Sequence, residues 1–249
     1  MRKSCLACVG ALVILLGLAS AVSAQPAKNA PYTAVAVSPA KPVADASLDA
    51  FRKELGDIAN RKDRAALARL MVYRGFFWDG ADDKSADPKK SAIDNLAAAL
   101  GLDAKDGSGW QALAELAAEG NAGQDPERKR VVCAPASPSF DDDAFDALLD
   151  KTQTDTSDWG YPASAGLEVR EKPDSGAPVV ETLGLHAVRL LDDEAAGAAN
   201  PDWTRVATPS GKTGFVAAKA IQPLDFDQIC YLKEATGWRI AGIVGGGER

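Results

Sequence analysis

Among 249 residues there is one histidine, there are two methionines, and the four cysteines fall at Cys5, Cys8, Cys133 and Cys230. The lone histidine, His186 in "TLGLHAVRLL", has beside it no motif for the nucleophile or the third group that a Ser-His-Asp or Cys-His mechanism needs. It reads as a turn residue with a solvated ring. Basic residues are also short, 28 against 35 acidic ones, for a net charge of −7. Nucleic acid and anionic lipid surfaces attract clustered Lys and Arg, so such a chain is poorly suited to either. One apolar run stands out, Val9 to Leu18, and it is shorter than the roughly 20 residues of a membrane span.

What is there first is an export signal. Residues 1–24 carry Arg2 and Lys3, then that apolar run, then "AVSA" before Gln25, the order of a secretory signal peptide with its cleavage site. Its removal takes Cys5 and Cys8 with it and brings the net charge to −9. The expected location is the periplasm or the medium. Cys133 and Cys230 remain, and an even pair in an exported chain reads as a disulfide. Two buried free thiols are the alternative reading.

Residues 25–44, rich in Pro and Ala, read as a flexible linker. Residues 45–157 read as an α-rich domain. Leu48, Phe51, Leu55 and Ile58 recur at helical spacing, with Arg52, Lys53, Glu54 and Asp57 assigned to the opposite side. Asp63 caps a second short helix, and Ser91 with Asp94 and Ser108 with Gln111 signal two more. Between them, "YRGFFWDGADDKSADPKK" holds Tyr73, Phe76, Phe77 and Trp78, read as core rings, and acidic residues whose spacing does not match a calcium loop. Asp141 to Asp143 sit where a helix start favours negative charge. No catalytic group, metal site or cofactor is expected.

From about Gly166 to Leu224 the apolar residues alternate in short runs between Pro- and Gly-bearing turns. In this stretch "EVREKPDSGAPVVETL" and "DWTRVATPSGKTGFVAAKAI" resemble the opening and the closing strands of bacterial SH3-like domains. The resemblance implies a small β-barrel over residues 158–224 and a binding rather than a catalytic role. Its implied ligands are peptides, envelope proteins or cell-wall fragments. By position, the expected binding residues are Trp159, Tyr161, Arg170 and Trp203; the alternative readings are that Trp159 and Tyr161 seal the junction with the helical part, that Arg170 pairs with Glu168 or Glu171, and that Trp203 plugs the barrel end. An acidic insertion, "DDEAAGAANPD", departs from the family pattern and repels acidic glycans.

Residues 225–249 read as a C-terminal hairpin in which Ile229, Tyr231, Trp238 and Ile240 alternate about a Gly-containing turn. Its strand "GWRIAGIV" resembles the closing strand of small α+β domains with a cone-shaped pocket, whose opening helices resemble "FRKELGDIANRKDRAALARLM". The expected architecture is therefore α+β: an α-rich part, an SH3-like barrel and a hairpin that can pack back on the first part. The expected function is that of an exported, non-enzymatic binding or scaffolding protein of the cell envelope. The alternative is a small-molecule binder or hydrolase, which requires a deep pocket lined by Phe76, Phe77 and Trp78.

Overall fold

The computed structural model describes residues 30–80, 84–191 and 201–245. The expected signal peptide and residues 192–200 of the acidic insertion lie outside them. The chain begins with β1 (Val37–Ser38), α1 (Ala46–Arg61), α2 (Arg64–Leu70), β2 (Phe77–Asp79), α3 (Ala92–Leu100) and α4 (Ser108–Ala118). Next come β3 (Gly123–Gln124), β4 (Val131–Ala134), β5 (Ser139–Phe140), α5 (Asp142–Thr152), β6 (Trp159–Pro162), β7 (Leu167–Arg170), β8 (Val179–Leu183) and β9 (Val188–Leu191). The last elements are β10 (Trp203–Ala207), β11 (Thr213–Ala217), β12 (Ile221–Pro223), β13 (Gln228–Glu234) and β14 (Gly237–Val244). The fold is α+β, with five helices and three sheets among the described residues.

Helix α1 starts where a carboxylate satisfies its free amides. Asp45 accepts from Ser47 N at 2.9 Å and Leu48 N at 3.3 Å, and it also pairs with Lys233 at 2.7 Å. Lys62, in the left-handed region, closes the helix, and Asp63 caps α2 by accepting from Ala66 N at 2.9 Å. The start of α4 differs from the expected Ser108 cap. Gly107 holds the cap position with positive φ, and the Asp106 carboxylate takes both the Ser108 N–H and its hydroxyl.

Helices α1 to α4 cover a five-stranded sheet of order β2-β14-β13-β4-β3. The two end strands of the chain, β13 and β14, stand in its middle, so residues 45–157 are not purely helical in company. Between helices and sheet lie Leu55, Leu67, Leu113, Tyr231 and Ile240, all fully buried. Each such side chain contributes about 1.5–3 kcal/mol of transfer free energy. Cys230 faces Cys133 directly across β13 and β4, and the two form a disulfide with Cα atoms 4.0 Å apart.

The other large sheet runs β12-β6-β9-β10-β11-β7-β8. Its end strands β12 and β8 do not pair with each other, so the sheet is not a closed barrel. Its inner side buries Val169, Leu183, Val188, Val206 and Val216. Residues 30–44 are not the expected flexible linker. Strand β1 pairs with β5, and Tyr32, Val35 and Val37 are buried against Phe145 and Trp159. The Tyr32 hydroxyl donates to Ala207 O at 3.0 Å, which ties this segment to the large sheet. No helix among the described residues is long and apolar enough to cross a membrane.

Candidate functional site

Residues directly opposed in an antiparallel ladder point to the same face, and their Cβ atoms lie about 4.5–5.5 Å apart. In the seven-stranded sheet this rule builds one continuous row. Leu191 opposes Arg205, Arg205 opposes Phe215, Phe215 opposes Arg170, and Arg170 opposes Val179. Trp203, opposed by Ala217, lies two residues along β10 on the same face. The intervening Val206, Val216 and Val169 point the other way, into the core. Trp203, Arg205, Phe215 and Arg170 are half-buried, and Val179 is 44% exposed.

Local chemistry fixes this face. The turn after β10 closes with Thr208 N donating to Lys212 O at 2.8 Å, and Gly211 supplies the positive φ it needs. Gly214 permits the approach of β7 to β11, because a Cβ there would sit 2.5 Å from Arg170 O. The Arg170 guanidinium is spent inside its own hairpin: it donates to Ala177 O at 2.6 Å and forms an ion pair with Glu168. Arg205 has no hydrogen-bond or ion-pair partner among the described residues. Among the described residues, the row therefore presents the Arg205 guanidinium without a partner between Leu191 and Phe215, with Trp203 on the same face.

The four residues expected from the sequence divide into two pairs. Register places Trp159 opposite Arg189 and Arg189 opposite Ala207, so Trp159 and Tyr161 alternate to the same outer face as Trp203 and Arg170. That end of the face is covered. The Trp159 ring is fully buried, edge-on to Tyr32 at 5.0 Å and to Phe145 at 6.2 Å, and its indole N–H donates to Thr154 Oγ1 at 2.9 Å. Tyr161 is buried as well, and burial raises its phenol pKa above the ordinary value. Trp203 and Arg170 stay on the uncovered part, on β10 and β7 with β11 between them. Arg205 and Phe215 were missed. The alternation that put Trp203 on a face also puts Arg205 there, two residues on.

The aromatic run is split rather than gathered. A cleft of about 750 Å³ is lined by Tyr73, Arg74, Phe76, Asp87, Lys90 and Asn95, among others. Tyr73, expected in the core, is 90% exposed with the Arg74 guanidinium 5.5 Å from its ring. Phe77 instead lies beneath Arg128 at 4.1 Å, and Trp78 donates its indole N–H to Gly245 O at 2.8 Å. Asn95 is spent internally, accepting from Asp87 N at 2.8 Å and donating to Asp87 O at 3.1 Å. Among the described residues, the cleft lining offers one carboxylate, Asp87, and no histidine or cysteine.

Asp125, Cys133 and Cys230 bring ligand-type atoms within 4.8 Å of one another. The two sulfurs are joined to each other, and the carboxylate accepts from Glu127 N at 2.9 Å and Arg128 N at 2.6 Å. This is a cross-link beside a loop-closing carboxylate, not an open set of ligands.

No protein family and no curated protein matches the chain. Among solved structures it is similar to an NTF2-like protein with a cystatin-like fold from Novosphingobium aromaticivorans, at 11% identity. The similarity covers 80% of this chain and 79% of that one, with a TM-score of 0.27.

Proposed function

We propose that the chain is an exported, non-enzymatic binding protein of the cell envelope, in which residues 158–224 act as an SH3-like recognition module. Its ligand is a peptide, a partner protein or a cell-wall fragment, held through a peptide carboxylate and not through an acidic glycan strand, which the insertion repels. One observation carries this reading: the Arg205 guanidinium, between Leu191 and Phe215 and with Trp203 on the same face, has no partner among the described residues. Flat aromatic rings around an arginine supply contact area and a single charged anchor, the composition typical of energetically dominant interface residues. The disulfide fits an oxidising compartment, which supports export to the periplasm or the medium. The cleft beside Tyr73 supports a hydrolase less well, since among the described residues its lining offers Asp87 but no histidine and no second carboxylate to pair with it.

The test is capture from envelope extracts and on purified cell wall. Arg205→Glu and Phe215→Ala are expected to reduce capture at least about tenfold, the effect of losing roughly 1.4 kcal/mol of binding. Glu119→Gln, far along the chain on the helical side, serves as the control. Undiminished capture by both sheet variants would remove this reading.

A further inference from the structure

Residues 73–76 leave the five-stranded sheet for a reason that register supplies. Met71 bridges to Ile240 and Phe77 pairs with Gly242, both in parallel, so the chain advances six residues while β14 advances two. The excess arches outward. Val72 N still donates to Ile240 O at 3.0 Å, and Gly75, with φ 75°, turns the chain back towards β2. The arch lifts two side chains into solvent: Tyr73 is 90% exposed, and Arg74 is exposed beside it. Across from it lies the turn before α3, pinned by Asn95, which accepts from Asp87 N and donates to Asp87 O.

Arch and turn line the cleft of about 750 Å³, within the size range of small-molecule sites. Its walls are apolar at Met71, Val72, Phe76, Pro88 and Ile93. Its polar groups divide by charge. The acceptors are engaged already: Asn95 holds the Asp87 backbone, Asp87 Oδ1 accepts from Lys89 N at 2.8 Å, and Ser91 Oγ donates to Asp94 at 2.5 Å. The cations are not. Arg74 and Lys90 both line the cleft, and neither has a hydrogen-bond or ion-pair partner among the described residues. The Arg74 guanidinium lies 5.5 Å from the centre of the Tyr73 ring. Two cations against the Asp87 carboxylate leave the lining with an excess of positive charge, in a chain whose net charge is −7.

We propose that this cleft binds a small aromatic monocarboxylate. Its carboxylate pairs with Arg74 and Lys90, and its ring lies against Phe76 and Tyr73, whose own ring otherwise leaves its apolar area in solvent. An aromatic amine meets like charge there, and a bare inorganic anion leaves the apolar walls uncovered. The proposal does not rest on the reading of the seven-stranded sheet, so either can fail without the other.

The probe is sodium phenylacetate, titrated into the ¹⁵N-labelled protein by calorimetry and by amide resonances, with 2-phenylethylamine and sodium phosphate at matched ionic strength as comparisons. Saturable binding of phenylacetate alone is expected, with the largest shifts at Gly75 and Ile93. Arg74→Gln combined with Lys90→Gln, both at exposed positions, is expected to weaken binding at least about tenfold while the urea midpoint stays unchanged. The proposal is overturned if phenylacetate gives no saturable binding, if the amine or phosphate binds as tightly, or if the double variant binds phenylacetate equally well. Loss of binding in Arg205→Glu instead would place the acid on the seven-stranded sheet and overturn the assignment as well.

Discussion

His186 shows how much a single residue's surroundings change its chemistry. The sequence reads it as a solvated turn residue, whereas the ring is half-buried at the bridge between Ala36 and the β8–β9 turn, with Nε2 buried and without a partner among the described residues. Burial lowers its pKa below 6.5, and the nearby Glu181 charge only partly opposes this. The folded protein therefore holds the imidazole neutral. The unfolded chain takes up a proton at about pH 6.5, while the folded one does so only at a lower pH. Across that window the unfolded state binds more protons, so stability rises with pH and is lost as pH falls below 6.5. The urea midpoint is expected to drop between pH 7.5 and pH 5, and His186→Gln should flatten that part of the curve. The carboxylates with lowered values, such as Asp94 and Asp155, stay silent there, because their contribution disappears only below their ordinary range. An unchanged slope in the variant would assign the pH dependence elsewhere.

At the scale of elements, backbone approach decides more than side-chain type. Gly214 lies on β11 where β7 crosses closely, and a Cβ there would meet Arg170 O at 2.5 Å and Val169 Cγ1 at 2.6 Å. The first of these is backbone and cannot swing away without parting the two strands. Gly214→Ala is expected to destabilise the protein by about 1–3 kcal/mol, the range for forced overpacking, as read by urea unfolding. The same distinction explains what the sequence made legible. The apolar stripe Leu48, Phe51, Leu55 and Ile58 is the buried face of α1, because helical spacing is a local property. Arg52 lies four residues after Leu48 and three before Leu55, which puts it on that face, but its charge argued for solvent. Strand alternation likewise made Trp203 legible, whereas the cover over Trp159 and Tyr161 depends on Tyr32 and Phe145, 127 and 14 residues away in sequence. Ser108 failed as a cap because the Asp106 carboxylate takes both its hydroxyl and its N–H, and the helix starts one residue earlier, with Gly107 at the cap. Tyr73 looked like core by composition alone, and nothing local marks the cleft it overhangs.

At the scale of the molecule, the chain leaves the five-stranded sheet after β4, builds the entire seven-stranded sheet, and returns at β13 beside the strand it left. The disulfide joins the two sides of that departure, with 97 residues between Cys133 and Cys230. In the unfolded chain the same bond closes a loop of that length, and the chain-entropy account assigns it about 4–5 kcal/mol. The ladder alone offers less: Ile229, Cys230, Tyr231 and Leu232 pair with β4, and each such pairing must hold two ends of a long excursion together. The bond should therefore matter more to the five-stranded sheet than to the seven-stranded one, whose strands follow one another closely in sequence. Reduction, or Cys133→Ala with Cys230→Ala, is expected to lower the urea stability by a few kcal/mol. Hydrogen exchange should locate the loss, with amides of β4 and β13 losing protection before those of β10 and β11. Equal loss in both sheets would mean that they unfold as one cooperative unit. A change below about 1 kcal/mol would mean that the unfolded chain keeps β4 and β13 close without the bond.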